Sequence, residues 1–146
     1  MKSENHQNFS EICRKIGWKC TSQRLAVYDF LCENRMHPNV DAVWQAVKTT
    51  LPSISRESTY RILNEFADNE IIRRIDHIEN ARYDSRTLPH GHFICKKCGM
   101  IFDFDLKEGE HFPQVKIPGT IQYLEFRAVG ICEKCIKTTA PIKKGG

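Results

Sequence analysis

Two cysteine pairs of the same pattern carry the strongest chemical signal in the chain. Cys95-Lys96-Lys97-Cys98 is followed by Gly99, and Cys132-Glu133-Lys134-Cys135 lies near the end of the sequence. Two turns of this kind, brought together by the strands between them, can place four thiolates tetrahedrally around one zinc ion. Gly99 suits the tight turn after the second thiolate. Four thiolates leave the zinc with a net charge of about −2, and Lys96, Lys97, Lys134 and Lys137 stand where they can offset it. Such a site has no open position, so its zinc is structural. The chain has seven cysteines, an odd number, and its polar start Met1-Lys2-Ser3-Glu4-Asn5-His6 lacks the apolar core of a secretory leader. Metal ligation therefore fits better than two disulfides or a redox pair. Cys13, Cys20 and Cys32 are solitary and read as small buried or half-buried apolar residues.

A second constellation is built from histidine and carboxylate. In His90-Gly91-His92 the two imidazoles fall on one side of an extended segment, immediately before the first cysteine pair, so the zinc would rigidify their backbone. His37, Asp84 and Asp103 are further ligand types, from a junction between helices, the end of a hairpin and the next strand. Together they make a set of three nitrogens and two carboxylates without thiolate, suited to Fe²⁺, Mn²⁺ or Zn²⁺ and ill suited to Cu(I). Spacing alone leaves open a blander reading, in which these are polar loop residues and His37 is a capping histidine beside Pro38. His6, His77 and His111 have no comparable partners and read as surface residues.

The elements that must position these groups follow from periodicity. The chain has 146 residues, 40% hydrophobic and 27% charged, which suits one compact domain or two small ones and excludes long repeat arrays and large barrels. No apolar run approaches the roughly 20 residues of a membrane span, so a cytoplasmic protein without a membrane partner is expected. A net charge of +4 permits a polyanionic partner without requiring one. Phe9, Ile12, Cys13 and Ile16 recur at helical steps until Gly17, and Thr21 or Ser22 can cap a helix over residues 24–32. Val40, Val43, Trp44, Val47 and Leu51 predict a third helix ended by Pro52; Ser55 caps a fourth, with Ile62, Leu63 and Phe66 inward. Residues 71–76 and 81–84 then suit a small β-hairpin. Helices followed by a two-stranded wing make a winged helix-turn-helix plan, which presents one helix to the DNA major groove. Beyond a turn-rich connector, residues 93–94, 100–104 and 121–129 read as strands, and the end from Lys137 as a frayed basic tail.

Taken in order, Thr21-Ser22-Gln23-Arg24-Leu25-Ala26-Val27, His37-Pro38-Asn39-Val40-Asp41, Pro52-Ser53-Ile54-Ser55, Tyr60-Arg61-Ile62-Leu63 and His90-Gly91-His92-Phe93-Ile94-Cys95-Lys96-Lys97-Cys98-Gly99 resemble the ferric uptake regulator family of bacterial metal-dependent repressors. The resemblance runs from about Ile12 to Cys135. It implies an α+β protein in which residues 1–84 form a winged-helix DNA-binding domain, 85–91 a hinge and 92–136 a small α/β dimerisation and metal-binding domain, with 137–146 a flexible basic tail. It implies structural zinc at Cys95, Cys98, Cys132 and Cys135, and a regulatory Fe²⁺ or Mn²⁺ at His37, Asp84, His90, His92 and Asp103. Aspartate at 103 is similar to the peroxide-responding branch, in which a ligand histidine is oxidised and the metal lost; His37 and His90 are then the candidates for oxidation. The implied partners are a palindromic double-stranded DNA operator and a second copy of the chain.

The fourth helix would carry the DNA surface, through Ser55, Arg56, Ser58, Thr59, Tyr60 and Arg61, with Arg56 suited to a guanine edge. Lys15, Arg24, Arg73 and Arg74 are expected at phosphates. Two features depart from the family pattern. Arg56-Glu57-Ser58-Thr59-Tyr60 stands where Leu-Ala-Thr-Val-Tyr is usual, and Gly109, Pro113, Pro118 and Gly119 interrupt the region of the dimerisation helix. The competing readings are an iron- or other divalent-metal-responsive repressor without peroxide chemistry and, from other classes, a metallohydrolase or a zinc-ribbon interaction module. No substrate-pocket or general-base motif supports the hydrolase, and the zinc-ribbon reading leaves His37, Asp84 and Asp103 unexplained.

Overall fold

The structure is a computed structural model, and it is described for residues 2–76, 80–107 and 116–138. The chain divides into two compact units, Met1–Thr87 and Leu88–Gly146.

The first unit is built from α1 (Lys2–Ile16), α2 (Ser22–Glu33), α3 (Val40–Val47) and α4 (Arg56–Asp68), followed by β1 (Arg73–Ile75) and β2 (Arg82–Asp84). Gly17 ends α1 in the left-handed region at φ 75°, and the Trp18 amide turns back to the Cys13 carbonyl at 2.8 Å. Side chains cap the next three helices. Thr21, Asn39 and Ser55 accept from the amides of Arg24, Ala42 and Ser58, which would otherwise have no partner within the helix. Each helix buries one stripe: Phe9 and Cys13, Val27 and Leu31, Val40, Val43 and Val47, then Thr59, Ile62, Leu63 and Phe66. The antiparallel wing sets Arg74 opposite Tyr83, whose ring is buried in the same core.

Phe66 is the centre of an aromatic cluster, with ring centroids 5.7 Å from Phe9, 6.2 Å from Trp18 and 6.5 Å from Tyr28. Truncating it removes a fully buried ring that three helices and a loop share. Phe66→Ala is expected to destabilise this unit by about 3–5 kcal/mol. Chemical denaturation checks this: an unchanged unfolding midpoint would show that the ring is dispensable.

Several expected boundaries move. The third helix stops at Val47, short of Leu51, because the hydroxyls of Thr49 and Thr50 bond the carbonyls of Ala46 and Val47 and favour a turn. Leu51 still packs against the core from that turn. Each wing strand is three residues long, so Ile71 and Ile72 precede the hairpin instead of joining it. The turn residues 77–79 lie outside the described residues. Cys13 is buried and Cys32 half-buried, but Cys20 is exposed, since it lies in the loop after Gly17 and not on a helix.

The second unit holds β3 (Gly91–Cys95), β4 (Ile101–Phe104), β5 (Phe126–Gly130) and α5 (Glu133–Thr138). The sheet order is β4-β3-β5, with β3 antiparallel to β4 and parallel to β5. A Cβ at Gly91 would lie 2.0 Å from the tip of the exposed Phe104 ring, so any side chain there would make that ring turn away. The last strand was expected over 121–129, but pairing begins only at Phe126, opposite Gly91, and residues 121–125 are exposed coil. Lys137 and Thr138 belong to α5, which starts inside the second cysteine pair; Glu133 in its first turn and Lys137 in its last both suit the helix dipole. The rest of the expected tail, 139–146, and the glycine and proline at 109 and 113 lie outside the described residues. No helix among the described residues is long and apolar enough to cross a membrane.

Candidate metal centres and the surface of the fourth helix

The parallel pairing of β3 with β5 brings the cysteine pairs together. Cys95 ends β3 opposite Gly130, two residues before Cys132. Gly99, at φ 73°, closes the first turn, its amide donating to the Cys95 carbonyl at 2.9 Å. The four sulfurs lie within 4.8 Å of one another. Cys98 Sγ and Cys132 Sγ are 3.8 Å apart, which is the edge of a tetrahedron whose zinc–sulfur bonds are about 2.3 Å. The Cys132 and Cys98 amides donate to Cys95 Sγ at 3.3 and 3.5 Å and hold its thiol down at about 6. Burial, and then hydrogen bonds with the neighbouring thiols, push Cys135 up to about 12, so a cation among the sulfurs is what favours its thiolate. The cluster fits a structural zinc, and Lys96, Lys97, Lys134 and Lys137 are all exposed around the two turns.

His90, His92 and Asp103 converge within the second unit. His92 on β3 faces Asp103 on β4 in direct register, and His90, two residues before His92, shares that face. The two Nε2 atoms are 2.9 Å apart and each is 3.4 Å from Asp103 Oδ1. Ligands about 2.1 Å from one ion at right angles are about 3.0 Å apart, so these three atoms have the spacing of a metal face. His90 Nδ1 donates to the Leu88 carbonyl at 2.7 Å. A carbonyl can only accept, which fixes the proton on Nδ1 and leaves Nε2 as the ligand atom of the neutral ring.

His37 and Asp84 meet inside the first unit, with Nε2 3.8 Å from Oδ2 and both side chains buried. His37 has φ 51°, an uncommon conformation for a residue other than glycine. The segment is held there by β2. The Tyr83 amide donates to the Pro38 carbonyl at 3.0 Å and Arg82 Nη1 to the His37 carbonyl at 3.3 Å. Asp84 Oδ1 in turn accepts from the Arg86 amide at 2.8 Å.

On the first two turns of α4 the exposed residues are Arg56, Glu57, Tyr60 and Arg61, preceded by the exposed cap Ser55, while Ser58 is half-buried. Thr59 was expected on the DNA surface and is not there. It is fully buried, in phase with Ile62, Leu63 and Phe66, and its hydroxyl donates to the Ser55 carbonyl at 3.0 Å. Arg24 is not an open surface cation either. It lies over the Trp18 ring at 4.3 Å, bonds Glu65 at 3.0 Å and donates to the Lys19 carbonyl, and so braces α2 against α4. Lys15 is exposed, Arg73 donates to the Thr87 carbonyl, and Arg74 lies 3.7 Å from Asp76. The sequence reading missed Asp41, whose carboxylate binds Arg56. No local pattern marks a partner fifteen residues away; the one hint is that both stand in the first turn of a helix.

The sequence model of the ferric uptake regulator family matches residues 15–119, well over half of the chain. The chain belongs to the ferric uptake regulator family. Members of the ferric uptake regulator family are metal-responsive transcriptional regulators, not enzymes, and bind DNA, typically as dimers. Among curated relatives, the peroxide-responsive repressor PerR of Staphylococcus epidermidis is 32% identical over 126 residues, 84% of each chain. The Campylobacter jejuni peroxide stress regulator is 29% identical, with a TM-score of 0.66 over 88% of this chain and 97% of that one. The Helicobacter pylori ferric uptake regulator, described as having three functional metal-binding sites, superposes with a TM-score of 0.72 over 96% and 97% of the two chains. At 20% identity that match speaks to the fold alone, which is the two-domain α+β arrangement. Zinc, iron and manganese all occur in solved structures of the ferric uptake regulator family.

Proposed function

We propose that this family member is a peroxide-responsive repressor whose regulatory ion is held by His37, Asp84, His90, His92 and Asp103. The observation that carries the reading is the trio of His90 Nε2, His92 Nε2 and Asp103 Oδ1, 2.9–3.4 Å apart on a zinc-anchored sheet. The donors are imidazole and carboxylate with no thiolate, which suits Fe²⁺ or Mn²⁺. The buried His37–Asp84 pair supplies the remaining ligands. Bound Fe²⁺ would supply the activation of hydrogen peroxide, a two-electron oxidant: overall, one peroxide oxygen would be added at an imidazole ring C–H and the other would leave as water. His37 and His90 are the ligand side chains proposed to take up that oxygen and so to cease being ligands.

The helices and wing of residues 1–84 then bind DNA, residues 85–90 act as the hinge, and the second domain, from β3 to α5, dimerises and binds metal. Repression couples to metal because an ion with ligands from both domains favours only the conformation in which they can all reach it. Phe102 and Phe104 lie exposed on the sheet face opposite His92 and Asp103, an apolar surface suited to a second copy. A symmetric dimer reads a palindromic operator, with Ser55, Arg56, Ser58, Tyr60 and Arg61 at the bases or phosphates and Lys15, Arg73 and Arg74 at the backbone. The setting for this work is the cytoplasm.

The test is anaerobic binding of iron-loaded protein to fragmented DNA from its host, before and after a small dose of hydrogen peroxide. Release from DNA with one added oxygen on His37 or His90, while manganese-loaded protein stays bound, is the expected result. Iron-dependent binding that survives peroxide would make the protein a divalent-metal regulator instead. His37→Ala is expected to lower metal-dependent DNA affinity about tenfold or more, with zinc content unchanged. A titration showing equal affinity would remove His37 from the switch.

A further inference from the structure

We infer that Asp41 is a positioning residue for sequence readout: it grips one edge of the Arg56 guanidinium and aims the other edge at a guanine in the major groove. The inference rests on the reading of α4 as the DNA-reading helix and adds to it a residue from a different helix.

The geometry is specific. Arg56 Nε donates to Asp41 Oδ1 at 2.6 Å and Nη2 donates to Oδ2 at 3.3 Å. That fork occupies the Nε–Nη2 edge of a rigid planar group. The edge left over carries one N–H on each of Nη1 and Nη2, the two parallel donors that match guanine N7 and O6. Asp41 can accept but cannot donate, so it directs Arg56 without competing for those acceptors.

Stability does not account for the pair. Both side chains are about half exposed, at 52% and 53%, and exposed ion pairs contribute little to folding. Position argues for function as well. Arg56 is the first residue of α4, where the helix dipole disfavours a cation, and Asp41 in the first turn of α3 supplies the compensating charge. The contact holds Asp41 below the usual carboxylate range. A brace set before binding means that less side-chain freedom is lost when the base is met. Tyr60 follows Arg56 by one turn and is 47% exposed, so it offers a ring beside the same base step. Asp41, Arg56, Tyr60 and Arg74 line one cleft of about 300 Å³ between α3, α4 and the wing, which places a further cation beside the direct readout.

The test begins with in vitro selection of random duplexes by the full-length, metal-loaded protein. Each guanine of the selected half-site is then replaced in turn by 7-deazaguanine, which lacks the N7 acceptor. One guanine per half-site is expected to show a loss of about tenfold for the parent. Arg56→Ala and Asp41→Ala should both bind the two duplexes equally well, while Asp41→Glu, which keeps the fork, restores part of the difference. Asp41→Ala should also keep the dimer and its metal content. If Asp41→Ala retained the full penalty, or bound more tightly with the penalty intact, Asp41 would be a competitor of DNA and not a brace. Selection of a sequence without any guanine sensitive to Arg56→Ala would also overturn the inference, while leaving DNA binding standing. No enriched sequence at all would instead overturn the DNA reading on which it rests.

Discussion

Serine in place of Cys95 is expected to abolish zinc binding and unfold the second unit while the first stays folded. Cys95 is fully buried and accepts two amide hydrogen bonds, so its sulfur organises both cysteine turns at once. Around it the buried cluster is Cys95, Cys132 and Cys135, with Phe93 packed against them. Among the described residues of this unit the only other buried hydrophobic side chains are Ile94 and Ile101, and a core of that size cannot offset the conformational entropy of a three-stranded sheet unaided. A structural zinc contributes about 10–16 kcal/mol at neutral pH, comparable to the whole stability of a typical domain. The first unit has its own core of Phe9, Val27, Leu31, Val43, Leu63 and Phe66 and contains none of the four ligands. Metal analysis and amide hydrogen exchange check this directly. Zinc should fall to background, β3 to β5 should lose protection, and α1 to α4 should keep theirs. A variant with full zinc and a protected sheet would show that three thiolates suffice and that the site is less essential than its geometry implies.

The parts of the fold legible in the sequence were those written locally. The cysteine turns announce themselves by a two-residue spacing, the caps Thr21 and Ser55 by chemistry that acts three residues away, and Gly17 and Gly99 by positions that need a positive φ. His90 and His92 could be placed on one face by alternation alone, and their Nε2 atoms lie 2.9 Å apart. What could not be read depends on contacts between distant segments. The Asp41–Arg56 and Arg24–Glu65 pairs join residues 15 and 41 positions apart, and each changes what its arginine can do. Residues 121–125 have strand-like composition but are not part of a strand, since β5 begins only at Phe126, where β3 offers a partner. Thr59 is a different case. Its spacing from Ile62, Leu63 and Phe66 is that of a buried stripe, so its burial was available from helical phase.

Glutamate in place of Asp103 is expected to separate metal-dependent DNA binding from the response to peroxide, preserving the first and suppressing the second. Asp103 sits directly across from His92, with one oxygen 3.4 Å from both imidazole nitrogens. The extra methylene extends the side chain by about 1.5 Å, and β4 is paired to β3 by four consecutive residues, so the strand cannot retreat to absorb it. The longer carboxylate can then turn both oxygens toward the ion and fill the position at which peroxide would react. Iron still brings the same ligands together, so the DNA-binding conformation is retained. The peroxide dose needed for half release should rise about tenfold or more, which is the effect of about 1.4 kcal/mol on the barrier. Mass spectrometry of the tryptic peptides holding His37 and His90 should find the added oxygen in the parent and little in the variant. Equal sensitivity of the two proteins would mean that the coordination number is set elsewhere in the site. Loss of iron-dependent DNA binding would mean that the aspartate's length is needed to assemble the ligands, and not only to leave room for peroxide.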